Sequence, residues 1–240
     1  MNCEICGKPL TLIQNLFNRT LHDTCRETHG YIGHFKLTDW WFSAFSEEER
    51  QYIELAFQPM GFSIEVGAGK PNADEDSLLT GSRGLRVNGR AGSFLANLAE
   101  WLNKPESRHL ARRLLEKGEG IAADPVEMHD VYQVMIVVNY RDRQKSPEFL
   151  QAAISACQRQ IANAPEAIRD WQKWRAGVVP THNGFEQLAI IHEKEGDYHE
   201  AIRLSKEAMK QGWGWKAQWE RRIERCERRL AKVVRVKTTE

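Results

Sequence analysis

Net charge is almost absent: 34 lysines and arginines stand against 33 aspartates and glutamates in 240 residues, which leaves +1. That balance excludes a uniformly basic nucleic-acid coat and an acidic disordered tail, so any electrostatic role rests on local clusters. Long apolar runs are missing as well. No stretch approaches the ~18 consecutive apolar residues of a membrane span, and mean hydropathy is −0.58. The opening MNCEICGKPL is polar where an export signal needs an apolar segment, which predicts a cytoplasmic, reducing setting and no membrane. Hydrophobic residues still make up 41% of the chain, enough for a real core. The length is roughly one and a half times the ~150-residue prior for a domain, which predicts one medium domain plus a small module.

Catalytic constellations are also lacking. Gly67-Ala-Gly69-Lys70 has the outline of a phosphate loop, but Pro71 replaces the required Ser/Thr and the first glycine of that motif is missing. Neither His192-Glu193 nor His199-Glu200 extends to HExxH, and His129-Asp130 has no partner ligands nearby in sequence. No nucleophile, base and oxyanion donors can be assembled, so the chain reads as a non-enzyme.

Five cysteines are an odd number, and three of them, Cys3, Cys6 and Cys25, crowd into the first 25 residues. A disulfide framework does not fit. Cys3-x2-Cys6 places two thiolates on a tight turn ending at Gly7, able to reach one tetrahedral metal, and His22-x2-Cys25 supplies a second pair. Cys25-x3-His29 is an alternative pair at helical spacing, so His22 is the fourth ligand taken and His29 its rival. Leu10 to Ile13 and Thr20-Leu21 read as two short strands around a turn. The expected ligand is one structural Zn2+ held by Cys3, Cys6, His22 and Cys25. Four soft ligands at closed spacing leave no open water position for catalysis. The segment CEICGKPLTLIQNLFNRTLHDTC resembles treble-clef and LIM-type zinc modules, which implies a zinc-bound β-hairpin over residues 1–30.

Beyond Gly30, helical signals dominate. Ser46 with Glu49 forms a capping box ahead of a helix whose apolar face is read as Tyr52, Ile53 and Ala56. Residues 67–92 hold six of the 17 glycines and the acidic run Asp74-Glu75-Asp76, and read as a surface loop. Ser93 is read as the cap of one helix and Pro105 as the opening of the next. Asp124-Pro125-x-Glu127 and Ser146-Pro147-Glu148 start two more, and Pro165 is expected to restart the chain. The organisation read from these signals is a zinc module over 1–30, a helical region over 31–122 and a helical domain over 123–240.

The most informative stretch is NGFEQLAIIHEKEGDYHEAIRLSKEAMKQG, residues 183–212. Phe185, Leu188, Ala189 and His192 share one helical face, Gly196 stops that helix, and Tyr198, Ala201, Ser205 and Ala208 form the face of a second. This spacing resembles the tetratricopeptide repeat, a helix-turn-helix unit of 34 residues. The resemblance implies an α-α superhelix that holds a peptide or protein on its concave face, with Asn183, Gln187 and Lys194 toward the groove. A last helix carries Trp219, Ile223, Cys226, Leu230 and Val233 at 4,3,4,3 spacing with arginines opposite, and reads as a cap over the open end.

Charge is uneven along the chain. Residues 203–240 hold twelve basic and five acidic side chains, whereas residues 41–80 hold two and eight. Arg221, Arg222, Arg225, Arg228 and Arg229 therefore admit two readings, docking of an acidic partner or phosphate contacts to nucleic acid. Trp213 and Trp215 flank Gly214 and either stack a ligand or wedge helices together. The reading taken is an all-α adaptor with a zinc module that binds a peptide or protein partner, with Arg221 and Arg225 among its contacts. A nucleic-acid-binding regulator is the alternative.

Overall fold

The computed structural model describes residues 30–58, 79–80, 89–174 and 180–237, and all regular structure among them is helical. The candidate zinc ligands Cys3, Cys6, His22, Cys25 and His29, the hairpin between them and the Gly67 to Lys70 segment lie outside the described residues. The chain divides into two compact units, 1–89 and 90–240.

In the first unit, α1 (Tyr31–His34), α2 (Thr38–Ala44) and α3 (Glu47–Ala56) enclose Ile32, Leu37, Trp41, Phe45, Ile53 and Phe57. The capping box forms as expected: the Glu49 amide donates to Ser46 Oγ at 3.3 Å and the Ser46 amide to Glu49 Oε2 at 2.9 Å. The buried face of α3 differs from the expected one. Ile53 and the following Phe57 are buried, while Tyr52 is exposed and Ala56 half-buried. Leu79 closes the core, its carbonyl accepting from the Ile32 amide at 2.9 Å. Gly30 permits this approach, since a Cβ there would lie 2.3 Å from the Leu79 backbone.

The second unit contains α4 (Ala91–Trp101), α5 (Arg108–Ile121), α6 (Pro125–Arg141), α7 (Pro147–Trp174), α8 (Asn183–Glu195), α9 (Tyr198–Gln211) and α10 (Lys216–Lys237). Each helix packs on the next in sequence, α4 also packs on α6, and α6 also reaches α8. Asp124 caps α6 through the Val126 and Glu127 amides at 2.9 and 3.1 Å, and Pro125 takes the first turn, where its missing N–H costs nothing. Gly196 ends α8 in the left-handed conformation, φ 83°. Ala189, Ala201 and Ala208 are all fully buried between α8 and α9, as their size predicts.

Three expected boundaries are corrected. Pro165 does not restart the chain; it lies inside the 28-residue α7, which also carries Trp171. A mid-helix proline costs ~3 kcal/mol. Here Ala156, Cys157, Gln160 and Ala164 before it and Ala167 and Ile168 after it are all buried, so packing carries the helix through. Ser93 is not a cap: α4 starts at Ala91, and Ser93 Oγ donates to Asp130 Oδ2 at 2.7 Å. The α4 N-terminus is held by Glu127 instead, which accepts from the Gly92 amide at 2.9 Å. Pro105 lies in the turn before α5, which starts at Arg108.

A buried ion cluster locks the α6–α7 corner. Asp142, 1% exposed at its side chain, accepts from Arg108 Nε at 2.9 Å and Lys145 Nζ at 3.0 Å, and also pairs with Arg112. Burial alone would raise the Asp142 carboxyl, but these three cations together hold it well below the usual carboxylate range.

Candidate interaction groove

Two polar assemblies meet at α8, one buried and one that borders solvent. At its N-terminus, Gln160 of α7 joins three helices. Its Nε2 donates to the His129 carbonyl at 3.0 Å and to Gln133 Oε1 at 2.8 Å, and its Oε1 accepts from the Gly184 amide at 2.6 Å. Gly184 is required here, because a Cβ would meet the Cys157 carbonyl at 2.9 Å. His182 caps α8 by accepting from the Phe185 amide through Nδ1 at 3.2 Å.

The His182 ring packs edge-on against His129 at 5.3 Å and Trp213 at 4.7 Å, while His129 stacks flat on Trp213 at 5.0 Å. Burial drives both imidazoles toward the neutral form, His129 to about 4 and His182 to about 3, with His129 adding to the shift of His182. Closed off from water and wedged by Trp213, these rings hold helices together and are inaccessible to a substrate.

Along the rest of α8 runs a seam to α10 in which Glu193 and Arg222 are buried while Arg225 and Arg229 reach solvent. Glu186 and Glu193, two turns apart on α8, face the arginines of α10. Arg225 grips Glu193 with both nitrogens, at 2.7 and 2.8 Å, and Arg229 lies 3.4 Å from it. The Arg225 hydrogen bond, against some burial, holds the Glu193 carboxyl below its ordinary value. Arg222 is treated differently. Its side chain is 7% exposed, yet its nitrogens stop 3.6 Å from Glu186 and 3.5 Å from Glu193, and its Nε has no hydrogen-bond partner. Those separations exceed the ~2.7–3.2 Å of a normal bond, so the charge is compensated without being bonded. Burial pushes the Arg222 guanidinium below its ordinary value.

Beside this seam lies a groove of about 480 Å3, lined by Glu186, Trp215, Ala217, Gln218, Arg221, Arg222 and Arg225. Gln218 donates to Glu186 at 2.8 Å and so fixes the groove floor. Gly214 takes φ 62°, and the chain turns there so that Trp213 is buried while Trp215 is 77% exposed at the groove wall. Arg221 is exposed and makes no ion pair among the described residues.

The sequence-predicted contact residues are thus divided. Arg221 and Arg225 line the groove. Asn183 and Lys194 face α6 instead: Asn183 Nδ2 donates to the Gln133 carbonyl at 3.0 Å, and Lys194 Nζ to the Tyr140 hydroxyl at 3.0 Å. Gln187 is half-buried with its Nε2 unpartnered. His192 is half-buried, 3.5 Å from Asp197. Sequence reasoning missed the Gln133, Gln160 and His182 network, which no local spacing signals. It also missed Glu186 and Glu193, whose seven-residue spacing opposite the arginine stripe was a readable signal.

Among the described residues no group of three His, Cys, Asp or Glu side chains can hold a metal ion, and the thiols Cys157 and Cys226 are buried, with burial pushing Cys157 up to about 12. No helix there is long and apolar enough to cross a membrane. No protein-family model, curated protein or solved structure gives a significant match to this chain.

Proposed function

We propose that this chain is a non-enzymatic recognition protein that binds a peptide or protein partner along the α8–α10 groove, with helices 183–211 acting as a tetratricopeptide-like scaffold and the N-terminal zinc module as a second contact. The observation that carries the reading is the groove itself, where a large exposed aromatic ring stands beside unevenly satisfied arginines. Exposed tryptophan and arginine are the side chains that most often dominate binding energy at interfaces. A photo-reactive residue at position 215 should crosslink a protein in cells of the native host, whereas the same residue at exposed Gln158 should not. Equal crosslinking from both positions would remove the groove from the interface.

Nucleic-acid binding is the weaker reading on a specific ground. Of the five arginines in α10 between 221 and 229, Arg222, Arg225 and Arg229 face Glu193 or Glu186, so little of the cluster is left to neutralise phosphates. Binding that falls steeply with salt would favour that reading, since each phosphate contact releases a counterion. For the zinc module, elemental analysis should find one zinc per chain. His22→Ala should lose it and His29→Ala should keep it, and the reverse would move the fourth ligand to His29.

A further inference from the structure

We propose that the α8–α10 groove takes an acidic peptide segment carrying one aromatic or large apolar side chain, with a carboxylate on Arg221 and the apolar side chain on Trp215. The proposal rests on the groove being the interface and names what it recognises.

Three arginines and one glutamate line the groove. Arg225 is committed to Glu193 by two short bonds and Arg222 is buried against Glu186 and Glu193, so the cation open to a ligand is Arg221, which has no ion pair among the described residues. Arg222 is nearly closed off and already faces Glu186 and Glu193 at 3.6 and 3.5 Å, so an arriving carboxylate gains its charge-assisted bond at Arg221. Glu186 on the floor repels a carboxylate placed over it. Acid groups therefore go to Arg221, and an uncharged side chain to Trp215 and Ala217, which line the same groove.

Trp215, 77% exposed, offers a flat apolar face beside these cations. A wall of tryptophan next to arginine suits a peptide that alternates acid and apolar side chains. A nucleic-acid strand needs a longer row of free cations than Glu186 and Glu193 leave.

The test uses the full chain and fluorescence anisotropy of a short labelled peptide of glutamates around one phenylalanine. The glutamine version of that peptide and a labelled single-stranded oligothymidylate serve as comparators. The glutamate peptide should bind saturably, and the glutamine version should bind at least about tenfold more weakly. Arg221→Gln and Trp215→Ala should each weaken the glutamate peptide by about tenfold. Both side chains are exposed, so melting curves should match the parent. Arg203→Gln, whose guanidinium pairs with Glu200 outside the groove, should leave binding unchanged.

No saturable binding of the glutamate peptide, equal binding of its glutamine version, or indifference to Arg221→Gln overturns the proposal. Tighter binding of the oligothymidylate overturns it in favour of nucleic acid. If the peptide fails while the crosslink at position 215 survives, the acidic ligand is wrong and the interface stands. Failure of both removes the interface too.

Discussion

Trp213 and Trp215 are separated by one glycine, yet they belong to opposite kinds of surface. Trp213 is 1% exposed, stacked on His129, with its carbonyl accepting from Trp219 Nε1 at 2.6 Å. Trp215 is 77% exposed and serves no packing purpose. The polar groups around them differ in the same way. At the α6–α7–α8 junction, Gln160 uses both its donor hydrogens and its acceptor oxygen, and His182 Nε2, which has no hydrogen-bond partner, is sealed from any ligand by burial. At the α8–α10 seam, Arg222 is buried and under-bonded, and Arg221 is free of any ion pair among the described residues. Buried polar networks specify a fold, whereas an unpaired exposed cation beside an exposed ring marks a place where a partner docks.

The sharpest way to break this contrast is to remove each ring in turn. Trp213→Ala should destabilise the second unit by ~3–5 kcal/mol, the range for truncating a buried aromatic, because it empties the space between His129, His182 and Trp219. Trp215→Ala should change stability by less than ~0.5 kcal/mol. Denaturant melts of the two variants measure both. Equal effects would show that the burial difference does not govern the energetics.

Acid sharpens the same comparison from the junction side. His129 and His182 titrate in the fold at about 4 and about 3, below the 6.5 they have when unfolded. The unfolded chain therefore takes up protons first as pH falls. The stability these rings contribute is fully present above 6.5 and is lost progressively toward their folded values. Each ring should cost roughly 1.4 kcal/mol per pH unit in that window. Replacing His129 with Gln and His182 with Asn should flatten the slope of stability against pH between 6.5 and 5, even though the variant starts less stable. An unchanged slope would place the acid sensitivity elsewhere.

How much of this was legible beforehand follows from the range of the physics. Ser46 with Glu49, Asp124 with Pro125, and Gly196 act within one helical turn, and each was readable from its neighbours alone. Pro165 was misread for the same reason: the local rule says break, and the burial of Cys157, Gln160, Ala167 and Ile168 that overrides it is tertiary. The 4,3,4,3 stripe of α10 correctly placed Trp219, Ile223 and Cys226 inside. It put all arginines opposite, and Arg222 is buried because it borders that stripe and meets α8. His129 looked solitary because its partners, His182 and Trp213, lie 53 and 84 residues further on. The groove was half visible, in Arg221 and Arg225, and the readable spacing of Glu186 and Glu193 opposite the arginine stripe was passed over.

The smallest effects lie on the seam, and they separate charges that hold the fold from charges available to a partner. Glu193→Gln removes the carboxylate shared by Arg222, Arg225 and Arg229. Two of those cations are largely or partly in water and can reorient at little cost. Arg222 cannot, so the variant should lose ~1–3 kcal/mol, the penalty of leaving a buried charged group short of its partner. Arg228→Gln and Arg221→Gln, both on exposed positions of α10, should each fall within ~0.5 kcal/mol of the parent. Chemical melts of the three variants test this order. If Arg221→Gln proved as costly as Glu193→Gln, Arg221 would be part of the structure, and the groove would have no free cation to offer an acidic ligand.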